Sequence, residues 1–112
     1  MTDDAASSGD NAGTDVPSLP SNAVVREIPI INKRGLHARA SAKFVKMVEE
    51  FDAEVSVTGR SGETVGGNSI MGLMMLSAGP GTTITVSATG AQAEAAVAAL
   101  SQLVGNKFNE EE

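Results

Sequence analysis

Cysteine, tryptophan and tyrosine are all missing from this chain, histidine occurs once, and the only phenylalanines are Phe44, Phe51 and Phe108. Without thiols there is no disulfide and no thiolate metal site, which suits a reducing compartment. Without large aromatics the core must be built from Val, Ile, Leu, Met and Ala, and it will be small. No apolar run approaches the roughly 18 residues that a transmembrane helix needs. The start, Met1-Thr2-Asp3-Asp4, lacks the basic and apolar segments of a secretory signal. Cytoplasm is therefore the default expectation, with no membrane contact.

A basic stripe is also missing, so a nucleic-acid partner is not expected. The net charge of -6 is distributed unevenly. Residues 1–22 carry Asp3, Asp4, Asp10 and Asp15 and no Lys or Arg, and Glu110, Glu111 and Glu112 close the other end. Residues 23–109 hold all eight Lys and Arg against seven acids, so the body is close to neutral. The first 22 residues are poor in large apolar side chains and cannot bury enough surface to offset their ordering entropy. The expected organisation is a disordered acidic tail over 1–22, one domain over 23–109 and a short acidic tail over 110–112.

Within the domain, strand and helix signals alternate. Val24 to Ile31 reads as a strand with Val24, Ile28 and Ile30 on one face. Pro29 has no N–H to give a ladder, so this strand belongs at a sheet edge. Residues 38–50 read as a helix, with Ala40, Phe44, Met47, Val48 and Phe51 at helical spacing. Ala53, Val55 and Val57 alternate as a second strand, and the Gly59-Arg60-Ser61-Gly62 turn leads to a third around Glu63 to Val65. Ser69 is suited to cap a short helix running to about Ser77, with Leu73 and Leu76 inward and Ile70, Met71 and Met74 more exposed. Ala78-Gly79-Pro80-Gly81 is a turn. Thr82, Ile84, Val86 and Ala88 alternate as a fourth strand. A last helix spans about 91–107, with Ala93, Ala96, Val97, Leu100, Leu103 and Val104 as its buried stripe. Alternating strands imply a sheet with one wet face and one covered by helices. The fold class expected is α+β, a two-layer open-faced sandwich.

Chemistry is concentrated at His37. It follows a strand-ending turn, Lys33-Arg34-Gly35-Leu36, and precedes a helix. The backbone N–H groups of the first turn, beginning with Ala38 and Arg39, have no intrahelical acceptor, and with the helix dipole they favour a bound anion such as phosphate. An uncharged imidazole there keeps a ring-nitrogen lone pair with which to attack. Arg39 adds a guanidinium fork suited to phosphoryl oxygens, and Gly35 permits a tight reversal. A nucleophile, two backbone donors and a guanidinium suffice for a covalent phosphoryl acceptor. The competing reading is that His37 merely caps the helix while Arg39 is solvated, and on the residues alone the two stand level. Gly59 to Gly67 lacks the Gly-Lys-Ser/Thr of a nucleotide loop. Glu49, Glu50 and Glu54 read as solvated faces, and no metal-binding cluster is evident.

The segment Gly35-Leu36-His37-Ala38-Arg39-Ala40-Ser41 resembles the phosphorylation-site segment of HPr proteins, Gly-Leu-His-x-Arg-Pro-Ala. The stretch Gly67-Asn68-Ser69-Ile70-Met71-Gly72-Leu73 resembles that family's second signature, around a regulatory serine. The spacing and the element order fit, and the resemblance covers about residues 24–108. It departs at Ala40, where the family usually has proline. Alanine forms helix well, and the change is read as a subfamily mark reminiscent of nitrogen-related carriers. The resemblance implies a four-stranded antiparallel sheet under three helices. It implies a stoichiometric carrier, needing no cofactor, that is not itself an enzyme. His37 would accept the phosphoryl group on Nδ1, with Arg39 and the Ala38 N–H stabilising it. Enzyme I, or its nitrogen-pathway counterpart, would be the donor and an EIIA-type protein the acceptor. A monomer is expected. Ser69 would be the target of an HPr kinase/phosphorylase, and Ile70, Met71 and Met74 would form the partner-docking patch. The rival of another class is a regulatory binding module acting through Ser69 without carriage.

Overall fold

The computed structural model describes residues 23–109. The expected tails, 1–22 and 110–112, lie outside the described residues. Within them the order is β1 (Val24–Pro29), α1 (Ala38–Val48), β2 (Glu54–Thr58), β3 (Thr64–Gly66), α2 (Ile70–Met75), β4 (Thr83–Thr89) and α3 (Ala93–Gly105), followed by a 3-10 turn at Lys107–Asn109. The strands form one antiparallel sheet in the order β1-β4-β2-β3. β1 is an edge strand, as Pro29 required.

Register explains the layering. Ile28 pairs with Ile84, Val57 lies between Val86 and Val65, and Ala88 lies between Val24 and Val55. These rows face the helices, while Glu27, Thr85 and Thr58 share a row on the other side. Arg26 falls in the inward row opposite Val86 yet is exposed. The inward rows meet Ala40, Phe44, Val45 and Val48 of α1, Leu73 of α2, and Ala93, Ala96, Val97, Leu100, Leu103 and Val104 of α3 in one buried cluster. The α3 stripe is the one expected from the sequence. In α1 the apolar stripe is broader than expected, taking in Val45 and the buried Ser41.

Differences from the sequence reading gather at element ends. β1 stops at Pro29 and α1 at Val48. β3 is shifted one residue onward and β4 begins at Thr83. α2 ends at Met75 because Ser77 turns left-handed, at φ 53°. α3 starts two residues later than expected and does not continue through Lys107. Instead Lys107, Phe108 and Asn109 take φ of 56°, 58° and 59°. Three successive non-glycine residues in that region each cost on the order of 1 kcal/mol or more. The turn holds because it drops Phe108 into full burial and because Lys43 Nζ donates to the Phe108 carbonyl at 2.7 Å.

Candidate functional site

The loop before α1 is held by its backbone and by one buried amide. Asn32 Nδ2 donates to the Gly35 carbonyl at 2.9 Å, and the Gly35 N–H donates to the Asn32 carbonyl at 3.2 Å. Asn32 is fully buried, and its Oδ1 has no hydrogen-bond partner. Leaving that oxygen unsatisfied costs about 1–3 kcal/mol, which the loop sustains while the Nδ2 bond closes it. Gly35 sits at φ 65°, and a Cβ there would come within 2.3 Å of the Ala78 carbonyl oxygen. The close approach lets the Leu36 N–H donate to that same oxygen at 2.9 Å. Ser41 Oγ then donates back to the Leu36 carbonyl at 3.2 Å. Both sides of Leu36 are thus fixed, and the next residue is His37.

His37 is the N-cap of α1, with extended φ/ψ of -75° and -179°, and its side chain makes no capping hydrogen bond. The imidazole-as-cap reading is therefore not what the structure shows. The first intrahelical bond runs from the Ser41 N–H to the His37 carbonyl at 2.8 Å. The N–H groups of Ala38, Arg39 and Ala40 precede it and have no acceptor one turn back. Ala38 and Arg39 are exposed and His37 is half-buried. No acid lies in the first turn of α1. Between Asn32 and Val48 the chain carries Lys33, Arg34, Arg39, Lys43 and Lys46 and no acid. Backbone donors, the positive end of an eleven-residue helix and this cationic segment add in sign, and all favour an anion. Ala40 is buried against the core. Its N–H also precedes the first helical bond, so alanine or proline there makes the same backbone bonds.

Ser69 is the N-cap of α2, half-buried, and its hydroxyl accepts the Gly72 N–H at 3.0 Å. The structural role expected of it is present. Leu73 and Leu76 are buried, whereas Ile70, Met71 and Met74 are exposed by 42%, 73% and 44%. Met75, which the sequence reading passed over, is 70% exposed and belongs to the same apolar face. Its signal was available, since Met71 and Met75 are four residues apart and neighbours on one helix face. α2 packs beside α1, and the segment leaving α2 supplies the Ala78 carbonyl that holds Leu36. Sequence reasoning also missed Asn32 and Ala78, whose parts depend on contacts across the fold. Glu49, Glu50 and Glu54 are exposed as expected. No group of three or more metal-ligating side chains occurs among the described residues, and none of their helices is long and apolar enough to cross a membrane.

The family described as the PTS HPr component phosphorylation site matches residues 24–106. The phosphocarrier protein HPr of Cupriavidus necator is 46% identical over 87 residues, covering 78% of this chain and 97% of that protein. HPr of Pseudomonas aeruginosa is 49% identical over 87 residues, covering 77% and 96%. Among solved structures, HPr-C-His from Thermoanaerobacter tengcongensis superposes with a TM-score of 0.74 at 38% identity, covering 80% of this chain and 99% of that one. A match over most of the chain at these identities, on the same sheet under the same three helices, leaves one conclusion: the chain belongs to the HPr family of phosphotransferase-system phosphocarriers.

Proposed function

We propose that His37 is the residue that carries the phosphoryl group. It accepts that group on Nδ1 from a phosphohistidine of enzyme I, or of its nitrogen-pathway counterpart, and passes it to a histidine of an EIIA-type protein. One P–N bond breaks on the donor as another forms at His37, so the chain is a stoichiometric carrier and not an enzyme. The observation that carries this reading is the uncapped start of α1, where His37 stands before three N–H groups with no helical acceptor. The Ala38 and Arg39 N–H groups and the Arg39 guanidinium stabilise charge on the phosphoryl oxygens. The exposed face of Ile70, Met71, Met74 and Met75 docks both partners in turn, through brief and modest interfaces in the cytoplasm.

A second reading is supported by Ser69. A phosphate placed there by an HPr kinase/phosphorylase would replace a working cap at a helix start and set about two negative charges beside Ile70 and Met71. That charge would oppose docking on the apolar face, and a module using Ser69 alone would need no phosphoryl carriage at His37.

The test mixes the full chain with phosphoenolpyruvate and an active enzyme I, and intact mass is followed. One added, acid-labile phosphoryl group that His37→Ala abolishes is the expected result. No labelling by an enzyme I that charges a known HPr overturns carriage and favours the Ser69 module.

A further inference from the structure

The chain has no Cys, Trp or Tyr, so its five methionines are its readily oxidised side chains. Three of them, Met71, Met74 and Met75, sit on the six-residue helix α2. Met71 and Met75 are 73% and 70% exposed, and Met74 is 44% exposed. Met47, by contrast, is half-buried and packs against the core. Among the described residues, a two-electron oxidant in solution therefore meets the thioethers of α2 first; Met1 lies outside them. These thioethers are neighbours: Met71 faces Met75 at i, i+4 and Met74 at i, i+3. They are also close to the reactive loop. Met75 is three residues from Ala78, a span of at most about 11 Å, and Ala78 holds Leu36, which adjoins His37.

We propose that Met71 and Met75 form a reversible oxidation site that switches off partner docking, an inference that rests on α2 being the docking face. The oxidant is a peroxide. The sulfur lone pair attacks one peroxide oxygen, the O–O bond breaks, an S–O bond forms, and the departing hydroxide takes up the proton carried by the transferred oxygen to leave water. Sulfur loses two electrons and peroxide gains them. The product is a methionine sulfoxide, which is polar and chiral where the thioether was apolar and pliable, and reductases for each epimer restore it. Two sulfoxides on one apolar stripe must lose their water when a partner docks, and the partner's apolar side of the interface offers nothing to replace it. The change falls on association; the phosphoryl acceptor is left chemically intact.

The experiment treats the full chain with hydrogen peroxide, maps the added oxygens by peptide mass spectrometry and measures steady-state phosphoryl transfer from enzyme I before and after. Met71 and Met75 should gain oxygen ahead of Met47. KM for the carrier should rise about tenfold, the scale of one unmatched polar group at an interface, with kcat changed far less. Methionine sulfoxide reductases should restore the original KM. In a Met71→Leu/Met74→Leu/Met75→Leu variant, compared with itself before treatment, peroxide should leave KM unmoved. Equal loss in that variant, oxidation of Met47 first, or unchanged transfer after full oxidation of Met71 and Met75 each overturns the proposal. The untreated protein tests the carrier function itself: failure to take any phosphoryl group there overturns carriage, whereas only the change on treatment reports on the switch.

Discussion

Two helix starts in this molecule are built in opposite ways. At α2, Ser69 turns its hydroxyl onto the Gly72 N–H, and the helix end is satisfied from within the chain. At α1, the residue in the same position is His37, whose side chain makes no capping bond. A good cap contributes about 1 kcal/mol, so α1 forgoes a stabilisation that α2 has. It keeps its first-turn donors and adds a run of cations with no acid among them. Stability at α1 comes instead from either side of the helix start: the Gly35–Ala78 approach before it, and burial of Ala40, Phe44, Val45 and Val48 within it.

Giving α1 the cap that α2 has is the sharpest way to break this contrast. His37→Ser should abolish phosphoryl labelling altogether, yet it should be more stable than His37→Ala by about 1 kcal/mol, because serine caps an extended N-cap residue well. Paired thermal melts and intact-mass labelling check both halves. If the serine variant is no more stable than the alanine variant, the start of α1 does not lack a cap. The next effect in size is Gly35→Ala. The new methyl meets the Ala78 carbonyl at 2.3 Å and the backbone must hold φ 65°, so a loss of about 3 kcal/mol is expected from strain and overpacking together. Urea denaturation measures it, and a loss under 1 kcal/mol would show that the two loops can separate without cost.

Ser69→Ala removes the cap from the other helix and should cost about 1 kcal/mol. In the unmodified protein it should leave labelling at His37 in place, and loss of labelling would mean that the two helix starts are not independent. The smallest effect expected is a gain. Ser77 holds φ 53° between α2 and the loop that clamps Leu36. Ser77→Gly relieves that backbone and should stabilise by about 0.5–1 kcal/mol, net of the entropy glycine adds to the unfolded chain. A lower melting temperature would place the serine side chain in a supporting contact.

Periodicity carried much of this molecule on its face. The α3 stripe, the inward residues of β2 and β4, the edge position forced by Pro29 and the cap at Ser69 are all local properties. They follow from one helix turn, one strand pleat or one side chain reaching three residues ahead. His37 was marked in the same way, as the lone histidine between a turn and a helix. Element ends were less legible, because the residues near them are compatible with one turn more or less.

What the sequence by itself determined was the element order, the core-facing stripes and the residues standing at the start of α1. Tertiary structure alone decided why Gly35 admits no side chain, since the atom that excludes one belongs to Ala78, 43 positions away. It also decided that Phe108 turns back into the core through a left-handed turn tied to Lys43, 65 positions away, and that the small polar Asn32 and Ser41 are buried. No window of a few residues contains these pairings. Their energies come from close packing between segments that only the folded chain brings together.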